Sequence, residues 1–561
     1  MEWLQSAMVT TAFAAILVLS VATAQGAPPE VPEAEKALLN TVDPWGLPFS
    51  DQLTRFQRHF SEAADAPFVL GITHDLVKVW PVKYWFRGET VAAGLPAVEV
   101  PERWAAAGES LSFQVAALPR MGAPETEYSL AVRAEGAQVA VYRQIFVTTS
   151  AGAAYPRYAS DRWPDPLVPA QHAVAGEADL CLFWVDVTIP ATASGTLPCT
   201  VTVQGNGGAA EATVPIRVVP GLDLDPKAYP FIGWFRRHKM TPEQYKEHCA
   251  LVLEHHMMPV DALKGQWDPE DPAKFDDLRT YLEAKGQRLF EVDGPSSKDF
   301  DSLYAHLREK DWLASTVIYS NQDEPDDETF VAQNIPFMQM VRDKYPGLKV
   351  YLASDWHENM HEGCDAWMTD ISSSGYDPER HKTLEHPELW HYYCHLPVRW
   401  QMRAPLVDAP NMQIDNPALE HRLALWMSRY YGAKVVFIWA GNAYTFGPDF
   451  WDTLKLSDEP SGFPYAGVHN GNGWVVYPTA DGQGTLPSLR LKVIRDGLED
   501  LALMEAARRA LGEGRVTGEQ AATLEALLDP VPGVFVHPQF FDRLPETLLA
   551  RREAILKTLA Q

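Results

Sequence analysis

The sequence predicts a multidomain chain, an N-terminal antiparallel β-sandwich followed by a (β/α)8 barrel of TIM type. Three observations predict it. Residues 66–222 read as short β-rich runs separated by Gly, Pro and Ala turns, the spacing of a sandwich. After residue 230 the text changes to strand, helix, strand, helix, with eight strand candidates, the rhythm of a barrel with a parallel sheet. The length of 561 residues, 46% hydrophobic and 22% charged, is that of ordinary globular material in two or more domains.

Taken in order, the chain opens on an apolar run, MVTTAFAAILVLSV (8–21), followed by Ala22-Thr23-Ala24. The run has signal-peptide length and ends in an A-x-A cleavage pattern, although no Lys or Arg precedes it. Residues 1–24 are therefore expected to be an export signal, which makes the mature chain secreted or periplasmic, with no membrane association once the signal is removed. Residues 25–64 are rich in Pro, Ala and charge and read as a linker. The sandwich is expected over 65–222, with seven or eight strands such as SLSFQVAAL, EYSLAVRAE and EATVPIRVVP. Cys181 and Cys199 lie in neighbouring strand-like runs and could face each other across a hairpin; their pairing stays open. The barrel is expected over 228–515, with strands at 231–235, 257–263, 288–292, 314–320, 348–354, 365–371, 389–394 and 434–440. A long helix carrying R-D-G-x-E-D (495–500) follows the eighth strand, and its charges read as structural ion pairs. Residues 516–561 form a C-terminal helical extension.

A net charge of −27 repels phosphate backbones and argues against a nucleic-acid partner. There is no C-x-x-C pair, and five cysteines do not make a disulfide scaffold. Aromatic residues are plentiful, with 18 Trp, 20 Tyr and 23 Phe.

In a barrel of this kind the chemistry sits at the C-terminal ends of the strands. The fourth predicted strand runs into Asn321-Gln322-Asp323-Glu324-Pro325. Two crowded carboxyls resist ionising together, so at least one pKa rises, as a glycosidase general acid requires. Ordinary glycosidases place two carboxyls about 5 Å or more apart on opposite sides of the scissile bond. Neighbouring residues instead point in different directions. One of this pair would then protonate the leaving oxygen while the other reached a different part of the same sugar. That division of labour suits substrate assistance, in which the sugar's 2-acetamido oxygen attacks the anomeric carbon.

The stretch NQDEP at the end of the fourth strand resembles glycoside hydrolase family 123 and its wider relatives. So do LWHYYCHLPVRW, IDNPALEHRLALWMSRYYGAKVVFIWAGNAY, GNGWVVYPTADG and SLRLKVIRDGLEDLALM further on. The resemblance covers roughly residues 230–510. It implies a β-N-acetylgalactosaminidase that retains configuration by substrate assistance, with Glu324 as general acid/base and Asp323 orienting the acetamido group. It implies no cofactor, no metal and a glycan carrying a terminal N-acetylhexosamine as partner.

Side chains at other strand ends are candidates for the sugar pocket: Gln322, Trp356, Tyr392, Tyr393, Trp439, Asn442 and Tyr444. Sugar C–H faces pack well on aromatic rings. Tyr392 and Tyr393 point to opposite sides of one strand, so at most one faces the barrel interior. A different signal, HENMH (357–361), spells the zinc-protease pattern through His357, Glu358 and His361. Only ten residues separate the flanking strands, too few for the helix that pattern needs, so it reads as a chance match. Three other readings compete: a carbohydrate-binding barrel without turnover, a zinc metallopeptidase on HENMH, and a hydrolase of sugars lacking the 2-acetamido group with Asp293 or Asp370 as nucleophile.

Overall fold

The computed structural model describes residues 48–58, 60, 63–148, 162–175, 180–237, 240–371, 373, 375–394, 409–443 and 471–561. The expected export signal, most of the linker and Tyr444 lie outside the described residues.

The N-terminal region is β-rich and antiparallel except where the short strands Val98–Glu99 and Arg103–Ala106 pair in parallel with Gly208–Val219. One six-stranded sheet runs in the order Glu89–Ala92, Phe68–His74, Ser110–Pro119, Cys181–Thr188, Gln138–Thr148, Arg162–Pro169. A second is built on Gly208–Val219, Gly195–Gly205 and Thr126–Ala134, with three short strands at its margins. Alternation sends Phe113, Val115 and Ala117 of the first sheet and Val201, Val203 and Val214 of the second into one shared core. Among the described residues twelve strands therefore stand where seven or eight were expected, because strands of two to four residues such as Val98–Glu99 carry no legible alternation. Cys181 and Cys199, whose pairing the sequence left open, do not face each other across a hairpin. The Cys181 strand pairs with Ser110–Pro119 and Gln138–Thr148, whereas the Cys199 strand belongs to the other sheet. Cys199 is a thiol whose pKa burial pushes up to about 12.

All eight expected barrel strands are present as one parallel sheet: Phe231–Gly233, Met257–Pro259, Phe290–Glu291, Thr316–Tyr319, Lys349–Ala353, Ala366–Thr369, Glu388–Tyr393 and Val435–Ile438. The first pairs with the eighth, so the sheet curls on itself. It is open between the second and third strands, which share no ladder. Side chains bridge that seam: Lys264 Nζ lies 2.7 Å from Glu291 Oε1, and Gly265 N–H donates to Asp293 Oδ2 at 2.7 Å. Ladder register puts Tyr319, Tyr351, Met368, Trp390, Tyr392 and Phe437 on one face. Trp234, just past the first strand, touches the rings of Tyr319 and Phe437 from different strands, which makes that face the interior.

Helices follow most strands. Pro242–Glu254 starts with a capping box in which Gln244 N–H donates to Thr241 Oγ1 and Thr241 N–H to Gln244 Oε1, satisfying two donors at its first turn. After the fifth and sixth strands only single turns stand, Met360–Gly363 and Pro378–His381. The helix Leu489–Gly512 is buried along most of its 24 residues. It packs against the helix Ala418–Tyr430 and lies between the barrel and the N-terminal sheets.

Candidate active site

Strand four ends at Tyr319, so Asp323 and Glu324 sit on the loop beyond it rather than on the strand itself. The loop curls. Glu324 adopts φ +43°, in the left-handed region that non-glycine residues seldom occupy, and its N–H donates to Ala353 O of strand five at 3.0 Å. The two carboxyls consequently part company. Tyr319 Oη–H donates to Asp323 Oδ1. Tyr392 Oη–H, from the seventh strand, donates to Glu324 Oε1 at 3.0 Å. Adjacent residues are thus held by tyrosines from two different strands of the barrel interior.

Both carboxyls are open at the barrel mouth. Enough protein surrounds that of Glu324 for burial to raise its pKa above the ordinary carboxyl range. The Tyr392 hydrogen bond opposes this by stabilising the anion, and the neighbouring charges of Asp323, Asp355 and Asp370 raise it further. A carboxyl shifted in this way keeps its proton to higher pH than an ordinary glutamate, which suits it to donate one.

The other expected residues fall in distinct places. Tyr392 faces inward and reaches Glu324, whereas Tyr393 faces outward and donates to Ala424 O at 3.2 Å. Trp439 follows Phe437 on the inward face and packs with the interior cluster. Gln322 is half-buried in the same loop, and its carbonyl accepts from Asn334 Nδ2 at 3.2 Å. Trp356 is wedged between Trp367 and His381, with ring centroids 4.8 and 4.5 Å away. Asn442 is fully buried and donates from Nδ2 to Arg236 O at 2.9 Å, with His248 Nε2 at 3.0 Å. It ties the loop after strand eight to the one after strand one. Asp370 is buried and accepts from Ser373 Oγ–H, and Asp293 is taken up by Gly265 N–H.

Sequence reasoning passes over Tyr319, although it is the last inward-facing residue before NQDEP and period-two alternation marks it. Glu291 was missed as well. It is completely buried in the barrel interior, where it accepts from Trp234 Nε1 at 2.8 Å and pairs with Lys264.

HENMH forms no zinc helix. The single turn begins only at Met360, and His357 is buried before it, stacked on Phe330 with centroids 4.3 Å apart and Nδ1 2.6 Å from Asp327 Oδ1. Among the described residues no group of three or more His, Cys, Asp or Glu is placed to hold a metal ion.

Two cavities stand out among the described residues. One of about 330 Å³ lies at the barrel mouth beside Trp234, lined by Arg236, Arg237, Tyr245, Asp261, Lys264 and Gln266. The larger, of about 580 Å³, lies away from Glu324, between the N-terminal sheets and the C-terminal helix.

A barrel with a carboxyl of raised pKa at its mouth is an arrangement that glycoside hydrolases use, and comparison with known proteins points to the same class. Residues 266–507 match the family model of the glycoside hydrolase 123 catalytic domain. Both Asp323 and Glu324 fall inside the matched stretch. A family 123 glycoside hydrolase from Clostridium perfringens, studied for glycolipid glycan hydrolysis, is similar in structure, with 12% identity, a TM-score of 0.58, and coverage of 88% of this chain and 97% of that one. At that identity the likeness concerns the fold. β-Glucuronidase 3 of Bacteroides uniformis aligns with 8% identity over 61% of this chain and 46% of that one, at a TM-score of 0.23. A putative α-galactosidase of Bacteroides fragilis aligns with 10% identity over 83% and 78%, at 0.16. No curated protein matches the chain.

Proposed function

We propose that this glycoside hydrolase removes terminal β-linked N-acetylhexosamine, most readily N-acetylgalactosamine, with retention of configuration by substrate assistance. Its N-terminal sheets act as a β-sandwich and its eight strands as a TIM-type barrel. The observation that carries the reading is the parting of two adjacent carboxyls, Asp323 bound to Tyr319 and Glu324 bound to Tyr392. Side by side on one loop, they are not a pair set on opposite sides of a bond.

In this mechanism the sugar's acetamido oxygen bonds to the anomeric carbon as the glycosidic C–O bond breaks. Glu324 gives its proton to the departing oxygen. Asp323, an acceptor held in place by Tyr319, takes the acetamido N–H and offsets the positive charge that develops on the ring formed. Water then attacks the anomeric carbon and reopens that ring, and the Glu324 carboxylate takes the water's proton, restoring the acid.

The test is hydrolysis of matched aryl β-glycosides of N-acetylgalactosamine, N-acetylglucosamine and galactose. Turnover of the acetamido sugars alone is expected, with Glu324→Gln and Asp323→Asn each lowering kcat by about 10²–10⁴-fold. Galactoside turnover at a similar rate would sink substrate assistance and require a protein nucleophile. The apolar run at 8–21 supports export as part of the same reading. Amino-terminal sequencing of the exported chain is expected to start at Gln25; a chain still beginning at Met1 would refute cleavage.

A further inference from the structure

The cavity beside Trp234 has a composition that a neutral N-acetylhexosamine does not call for. In a chain of net charge −27 it gathers Arg236, Arg237 and Lys264 around one indole. Among the described residues neither Arg236 nor Arg237 pairs with a carboxylate. Arg237 is steadied instead by Nε–H donation to Met240 O at 3.1 Å. Lys264 is 5.7 Å from the centre of the Trp234 ring and pairs with Glu291.

The pocket is also built rather than loosely draped. Gly441 N–H donates to Trp234 O at 2.9 Å, and Phe235 N–H donates to Asp261 Oδ1 at 2.6 Å. Tyr245 Oη–H donates to Phe235 O at 2.6 Å, and Asn442 Nδ2–H donates to Arg236 O at 2.9 Å. Four hydrogen bonds from three separate segments hold the backbone that presents the two arginines. Position matters as much. Trp234 forms one wall of this cavity and touches Tyr319 at 5.9 Å between centroids, and Tyr319 holds Asp323. The cationic pocket and the carboxyl pair are therefore separated by two aromatic rings and open at the same end of the barrel.

Resting on the hydrolase reading above, we infer that this pocket is a subsite for an anionic substituent, a sulfate ester or a carboxylate, on the glycan whose N-acetylhexosamine sits at Glu324. Guanidinium groups pair both anions in bidentate fashion, and a pyranose face bearing the group stacks on Trp234. Asp261, the one acid lining the pocket, is directed to Phe235 N–H, and burial pushes its carboxyl up to about 7, which weakens its opposition to an anion.

The experiment uses the full chain and two substrate pairs. The first is an aryl β-N-acetylgalactosaminide and its 6-O-sulfate; the second is N-acetylgalactosamine β-linked to glucuronate and to glucose. The expected result is a kcat/KM about tenfold higher for the anionic member of at least one pair at low salt. That ratio should shrink as salt rises. It should fall toward one in Arg236→Gln/Arg237→Gln. A preference in the first pair alone identifies sulfate, and in the second alone carboxylate. Equal rates within both pairs, or a preference that survives the double variant, would overturn the proposal. A binding measurement separates this failure from that of the hydrolase reading. Glu324→Gln is titrated with N-acetylgalactosamine 6-sulfate and with N-acetylgalactosamine, and tighter binding of the sulfate that depends on the two arginines supports the pocket even in a chain that turns over neither aryl glycoside.

Discussion

At the residue scale, Glu324 is set by two opposed influences. Burial and the charges of Asp323, Asp355 and Asp370 hold its carboxyl up, while the Tyr392 hydroxyl stabilises the anion and pulls it down. Removing that hydroxyl in Tyr392→Phe removes a stabiliser of the charged form, so the pKa rises further. A general acid must be protonated in the free enzyme, and activity is lost as pH rises through its pKa. The basic limb of kcat/KM against pH is therefore expected to move to higher pH in Tyr392→Phe, and a limb that stays or moves down would refute Glu324 as the acid. The carboxyl pair itself was legible in the sequence, because DE directly after an apolar strand has a physical rationale. Its tyrosine partners were only half legible. Tyr392 is a candidate through its strand, whereas only the fold brings the Tyr319 hydroxyl to Asp323.

At the element scale, the loop 320–325 decides where the two carboxyls point. Strand alternation alone cannot aim Asp323 and Glu324, since both lie beyond the strand; the left-handed turn at Glu324 does so. The segment holding HENMH shows the converse, a motif whose spelling is right and whose element is wrong. His357 fills space against Phe330 and bonds to Asp327, as a core histidine does. His357→Ala is expected to lower stability by about 1–3 kcal/mol in denaturant unfolding while leaving kcat/KM for the aryl glycoside within about twofold. Chelator treatment is likewise expected to leave hydrolysis intact. A chelator-sensitive rate would revive a metal role for this segment.

At the scale of the whole molecule, the helix Leu489–Gly512 locks the N-terminal sheets to the barrel. Its Arg490 meets Asp165 at 2.9 Å, and its Lys492 and Arg495 meet Asp186 at 2.7 and 3.1 Å. Asp500 accepts from Arg422, from Trp426 Nε1 and from Arg552 of the C-terminal helix. All these groups are buried, so each charge depends on its partner. Asp500→Ala would take one of two carboxylate partners from each of two buried guanidinium groups, Arg422 keeping Asp75 and Arg552 keeping Glu109, and is expected to cost about 3–5 kcal/mol of stability. Thermal unfolding followed separately in the sheets and the barrel is expected to shift together. A loss confined to one part would contradict a shared seam.

The sequence by itself determined the order of the architecture, the eight barrel strands and the loop that carries the Asp323-Glu324 pair, because hydrophobic periodicity and strand-end position are local properties of the chain. Tertiary structure alone decided which way each carboxyl points, which tyrosine holds it and where the barrel stays open. It also decided that R-D-G-x-E-D bonds across to the sheets, and that Arg236, Arg237 and Lys264 converge beside Trp234. Those facts depend on residues far apart in the chain meeting at one place, and on the sign of a single φ angle, neither of which local pattern contains.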